Sequence, residues 1–149
     1  MPTSAGTERR LRTDGNIGGN LYDKYNTRNS LARRLMAGFL ADFDALAGSL
    51  PIRTAFEVGC GEGQLTLRLL RRGVDCRGCD LDAPIVAEAR RLIGQAGYGA
   101  ELTATSIYDL DPEACAADLV VCCEVMEHLP DPEAALRILT RMAQPYLLL

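Results

Sequence analysis

This sequence predicts an α/β fold with a doubly wound parallel sheet and helices on both faces, and three observations predict it. Short apolar runs of strand length alternate with amphipathic stretches of helix length from residue 30 onward. A glycine-rich turn, "EVGCGEG", stands where the first strand runs into a helix. The second and fourth strand-like runs lead into acids, Asp80 and Glu124, at the end of a parallel sheet where ligands bind.

Residues 1–19 hold glycine, threonine and scattered charge without periodicity; they read as a flexible tail, with the domain at 20–149. Next, "NLYDKYNTRN" offers Tyr22, Lys24 and Tyr25 either as a lid over a ligand or as a solvated lead-in. Leu31, Leu35, Phe39, Phe43 and Leu46 recur near helical spacing, with Arg33, Arg34 and Asp44 between them, predicting a helix over 30–48 that covers one face. A strand is expected at 54–58 and a helix at 62–72, where Arg68, Arg71 and Arg72 read as a solvated face. A strand at 75–79 leads to a helix at about 83–95, with Val86, Ala89 and Ile93 on its apolar side and Glu88, Arg90 and Arg91 opposite. Strands at 101–105 and 118–123 follow, then a helix begun by Pro132 and capped by Asp131. The terminal "PYLLL" reads as a fifth strand barely begun. Such a sheet lacks its C-terminal strands, so the expectation is an incomplete domain whose open edge could self-associate.

At 149 residues the chain is the size of one domain, and 48% hydrophobic with 24% charged residues is ordinary for a globular protein. No apolar run approaches the roughly 20 residues of a membrane span, and the first residues lack the apolar stretch of a signal peptide. The expected location is cytoplasmic. A net charge of −4 argues against a surface built to hold nucleic acid. Six cysteines, at 60, 76, 79, 115, 122 and 123, fall mostly inside apolar runs and read as buried reduced thiols. Cys76 and Cys79 form a C-x-x-C, but Cys122 and Cys123 are adjacent and lack the spacing of a second ligand pair.

In a doubly wound sheet the glycine turn sits where strand order reverses. Gly59 and Gly61 allow close approach of a ligand, and Gly63 allows the next helix to pack closely; a plain tight turn is the competing reading. A dinucleotide fingerprint needs glycine at 64, where this chain has Gln64, and Glu57 would repel a pyrophosphate. An acid there suits a cationic ligand. Asp80, 21 residues beyond Gly59, is placed to accept hydrogen bonds from ribose hydroxyls. Ribose plus a cationic group without phosphate describes S-adenosylmethionine.

The stretches "FEVGCGEGQLTLRLL", "CRGCDLD" and "VVCCEVMEHLPDPEAALRIL" resemble, in order and spacing, three motifs of the class I S-adenosylmethionine-dependent methyltransferases, whose domain is Rossmann-like. The resemblance implies that Glu57, Gly59, Cys60 and Gly61 hold the methionine end, that Asp80 takes the ribose, and that Leu81 packs on adenine. It places Cys123, at the end of the fourth strand, in the same pocket. Many members bind the adenine amino group with an acid after the third strand. This chain reads "ATSIYD" there, leaving Ser106 or the Ile107 backbone for the task.

After the fourth strand, Glu124, Glu127 and His128 fall on one side if the segment turns helically. Three readings stay open. Glu124 and His128 support the loop; or they are catalytic, with His128, of ordinary pKa about 6.5, taking a proton from the acceptor hydroxyl; or all three hold Mg²⁺ or another divalent metal. The stretch "EVMEHLPDP" resembles the loop of the ubiquinone-biosynthesis O-methyltransferases, where two glutamates and a histidine are associated with a divalent metal. A similar pattern occurs in enzymes that methylate the 3′-terminal 2′-hydroxyl of small RNAs. The expected activity is therefore O-methylation of a small-molecule hydroxyl. The alternatives are a small-RNA 3′-terminal 2′-O-methyltransferase and an inactive cofactor-binding fragment.

Overall fold

The computed structural model describes residues 30–149, so the expected tail and Tyr22, Lys24 and Tyr25 lie outside the described residues. Five strands form one sheet: β1 (Thr54–Val58), β2 (Asp75–Asp80), β3 (Glu101–Ala104), β4 (Ala117–Val121) and β5 (Ala143–Leu148). Their order is β3-β2-β1-β4-β5, and every neighbouring pair is parallel. The helices are α1 (Ser30–Ser49), α2 (Gln64–Arg71), α3 (Ala83–Gln95) and α4 (Pro132–Met142).

Side chains of a strand alternate between faces, and here both faces are apolar because both are covered. Ala55, Cys76, Leu119 and Val121 point to one face and pack with Phe43 and Ala47 of α1 and Leu65 and Leu69 of α2. Leu102 joins Val86, Ala89 and Ile93 of α3. Phe56, Val58 and Val120 point the other way, onto Ala135, Leu139 and Met142 of α4 and onto Ile107. The doubly wound arrangement expected from the alternation of elements is present.

Several boundaries differ from expectation for local reasons. Helix α2 starts at Gln64 rather than 62, because Gly63 caps it with a left-handed backbone, φ 78°. Strand β4 ends at Val121 instead of 123, although Cys122 N–H still donates to Leu148 O at 2.9 Å. Strand β5 is not barely begun: it runs six residues and starts directly from α4. Proline disfavours a helical residue before it, so Pro145 turns Gln144, and with it the chain, into extended conformation.

Two side-chain expectations also change. Helix α1 docks by its C-terminal half only: Phe43 is 3% exposed, whereas Leu31 and Leu35 are 65% and 68% exposed. Arg68 and Arg72 are not a merely solvated face, because both reach Asp44 of α1, Arg72 at 3.9 Å and Arg68 through a direct hydrogen bond. All six cysteines are unpaired, with Cys60, Cys76, Cys79 and Cys122 buried.

Candidate functional site

Strand order reverses at β1, which has β2 on one side and β4 on the other. In open α/β sheets such a switch point is where the ligand crevice lies, outside the carboxyl ends of the strands. The turns after β1, β2, β3 and β4 meet at this end through contacts of backbone and side chain.

The turn after β1 is anchored first by backbone. Gly59 and Cys60 N–H both donate to Cys79 O of β2, at 2.8 and 3.0 Å, and Gly63 N–H donates to Cys60 O at 2.8 Å. Gly61 has φ 51°, and a Cβ built on it would meet nothing within 4 Å. Its backbone therefore faces open space in a conformation that glycine adopts without strain. Gly59 is covered instead: a Cβ there would lie 2.3 Å from Val125 Cγ2, so the loop after β4 lies directly on the glycine turn. Cys60 borders the turn with its backbone only, since its side chain is buried with Val86, Ala89 and Ile93 under α3.

Asp80 staples the crevice. One carboxylate oxygen accepts from Gly61 N–H at 2.9 Å and the other from Asp82 N–H at 3.0 Å. Each oxygen keeps acceptor capacity for a further donor. Leu81, next in the chain, is 55% exposed, an apolar side chain left uncovered beside the carboxylate.

Glu57 sits differently from Asp80. It is 4% exposed, and its carboxylate accepts a hydrogen bond from the Thr66 hydroxyl of α2, itself fully buried. Burial pushes its pKa up to about 8, against the opposing pull of the Thr66 hydrogen bonds, with Asp80 adding a smaller upward push. A carboxyl without a cation in an apolar setting neutralises itself by holding a proton. At neutral pH Glu57 thus ties β1 to α2 as a largely protonated group.

Beyond β3, Thr105 N–H donates to Asp80 O at 2.9 Å, which brings the third turn alongside. Ser106 caps a short 3-10 turn, Ile107–Asp109, its hydroxyl accepting from Tyr108 N–H at 3.3 Å. The Ile107 side chain is buried in the core under α4, so only its backbone borders the crevice side.

The loop after β4 carries the remaining candidates. Glu124 leaves the strand with φ 59°, and only Met126–His128 form a 3-10 turn. The expected helical turn is absent, so Glu124 does not stand one turn below His128. The close pair is Glu127 with His128, 3.8 Å apart, with side chains 53% and 54% exposed. Among the described residues, no three His, Cys, Asp or Glu side chains form a group that could hold a metal ion. The expectation that Glu124, Glu127 and His128 share an ion does not fit this donor arrangement, and no step is derived through a metal. Cys123 is half-buried, and burial pushes its thiol up to about 11, with Glu57 and Glu124 adding to the shift.

Sequence reasoning missed four residues that shape this end. Thr66 is a hydroxyl on the buried stripe of α2, a signal in itself because a buried polar group needs a partner. Gly78 lies inside β2, where an added Cβ would stand 2.6 Å from Glu57 O; a glycine within a strand run marks such an approach. Tyr108 and Val125 leave no comparable signal in the sequence.

Comparison with known proteins agrees with the fold. Residues 56–147 match the model of a family described as "Methyltransferase domain". The chain is 34% identical over 110 residues to the ubiquinone biosynthesis O-methyltransferase of Methylococcus capsulatus, covering 72% of this chain and 44% of that protein. The corresponding protein of Hahella chejuensis is 33% identical over 105 residues, covering 70% of this chain and 44% of its own length. The chain thus spans less than half the length of these curated relatives. The fold is also that of magnesium protoporphyrin IX methyltransferase from Synechocystis PCC 6803, solved with bound SAM. The TM-score is 0.68 at 22% identity, over 81% of this chain and 63% of that one.

Proposed function

Since the chain belongs to the methyltransferase domain family, among the class I S-adenosylmethionine-dependent methyltransferases, we propose that it binds S-adenosylmethionine in the crevice described above and methylates a hydroxyl of a small molecule. The observation that carries the reading is the convergence of an open, left-handed Gly61 with the Asp80 carboxylate where strand order reverses. S-adenosylmethionine, when bound, supplies an activated methyl group. The protein's own contribution is placement, which is where much of the advantage of a displacement reaction arises.

In this reading Asp80 accepts the ribose hydroxyls with the acceptor capacity left on its two oxygens. Leu81 offers its exposed side chain to the adenine. The main chain of Gly59, Cys60 and Gly61 borders the methionine end, with Cys123 flanking it. Ser106 and the Ile107 backbone face the adenine amino group. Glu57 acts from behind the turn by holding β1 to α2, because its carboxyl is buried against Thr66. His128, half exposed on the loop that covers Gly59, is the group available to take a proton from an acceptor hydroxyl, with Glu124 supporting the loop.

The acceptor class comes from the ubiquinone biosynthesis O-methyltransferase relatives and from the resemblance of "EVMEHLPDP" to the loop of that family. No helix among the described residues is long and apolar enough to cross a membrane, and cytoplasmic action on a small acceptor is part of the same proposal. Titration calorimetry with S-adenosylmethionine and S-adenosylhomocysteine tests the cofactor half: binding of both is expected, and absence of heat and of thermal stabilisation sinks the reading. Transfer of labelled methyl to a catechol, lost in His128→Ala with cofactor affinity intact, tests the acceptor half.

A further inference from the structure

We infer that Tyr108 is a positioning residue that couples the cofactor side of the crevice to the loop on the acceptor side. This rests on the reading that the crevice binds S-adenosylmethionine. Tyr108 Oη donates to Asp131 O at 3.0 Å and accepts from Asp131 N–H at 3.1 Å, so one phenol oxygen satisfies both backbone groups of a single residue. Asp131 is the N-cap of α4 and ends the loop that carries Glu124, Glu127 and His128; its own carboxylate accepts from Ala134 N–H at 2.9 Å.

The contacts form a closed ring. Gly61 N–H is held by the Asp80 carboxylate, Asp80 O receives Thr105 N–H, and Ser106 Oγ receives Tyr108 N–H. Tyr108 clips Asp131, and from there the loop returns to Val125, packed over Gly59. Four of the links are hydrogen bonds between turns or within one, and the fifth is a close packing contact. In this ring it is the Tyr108 side chain that joins the turn after β3 to the loop after β4, by two hydrogen bonds to Asp131. Its ring packs against the core cluster under α4, which fixes the direction of the hydroxyl.

A ligand that engages Asp80 and the Ser106–Ile107 turn therefore stiffens the start of α4 and the loop before it through this phenol. The inference differs from a stabilising role, which would protect the loop equally with and without ligand.

Amide hydrogen exchange on the full chain, with and without S-adenosylhomocysteine, separates the two. In the wild type the ligand is expected to slow exchange at 59–63 and 80–82, and also at 107–109 and 122–134, with the same dependence on ligand concentration. In Tyr108→Phe, which keeps the ring, the first two segments should respond as before and the calorimetric Kd should stay near the wild-type value. The ligand-induced slowing at 122–134 should fall by about fivefold, the equivalent of one ordinary hydrogen bond. The inference is overturned if the slowing at 122–134 is the same in both proteins, or if the wild type protects the glycine turn but not the loop. No binding and no protection anywhere in the wild type would instead overturn the cofactor reading and this inference with it.

Discussion

The two halves of the crevice are built in different ways. On the β1–β2 side the chain is held by backbone: Gly59 and Cys60 donate to Cys79 O, and Asp80 grips Gly61 and Asp82 by their N–H groups. Strand Gly78 lies so close to Glu57 that no side chain fits between them. On the β4 side Glu127 and His128 ride on a 3-10 turn and are more than half exposed. In the proposed function the cofactor uses the half held by backbone, and the acceptor meets the half whose side chains are exposed.

The largest effect expected on the rigid side comes from Gly78→Ala. Its Cβ would meet backbone rather than a flexible side-chain end, at 2.6 Å, so urea unfolding should show a loss of about 3 kcal/mol. A loss below ~1 kcal/mol would mean that the β1–β2 pairing yields more easily than its geometry implies. Next in size, Asp80→Ala removes a charged acceptor of hydrogen bonds and should weaken S-adenosylhomocysteine binding by roughly 100-fold in calorimetry. Unchanged affinity would take Asp80 out of the ligand site.

Glu57→Gln sharpens the same half through pH. The folded pKa of about 8 lies above the ordinary 4.5 because of burial, so the folded state holds a proton that the unfolded chain releases between those values. The stabilising contribution is present in full below about pH 4.5 and is lost as pH rises through 8. Relative to Glu57→Gln, the wild type should therefore lose stability with rising pH across that window, by up to about 1.4 kcal/mol per pH unit. Parallel stability curves for the two proteins would show that the carboxyl is not a buried proton holder.

The smallest effects belong to the open half. Glu127→Ala and His128→Ala remove an exposed pair, and each should change stability by no more than about 0.5 kcal/mol while leaving cofactor affinity in place. A large loss of stability from either would show that this loop is as constrained as the glycine turn, and the contrast between the halves would fail.

Much of the fold was legible in the sequence because its signals are local. Strand-length apolar runs at 54–58 and 75–79, an Asp-Pro start at 131–132, and glycines before α2 depend on neighbours a few residues away. The boundaries that shifted were also local once read closely: Gly63 delays α2, and Pro145 pulls the chain from α4 straight into β5. The site was legible as a set of positions but not as a set of orientations. Glu57 and Asp80 read alike as acids at strand ends, yet one is buried against Thr66 and the other spans two backbone N–H groups at the crevice.

By itself, then, the sequence determined the element order, the parallel sheet and the place of the crevice, because periodicity and turn chemistry act through covalent neighbours. Only the tertiary structure decided which acid keeps a proton, that Val125 lies on Gly59, and that Tyr108 clips Asp131. Those contacts join residues 9, 66 and 23 positions apart, as Thr66 with Glu57, Val125 with Gly59 and Tyr108 with Asp131. Contacts at such separations depend on how faces pack together and on what water is excluded, and no local pattern encodes that packing.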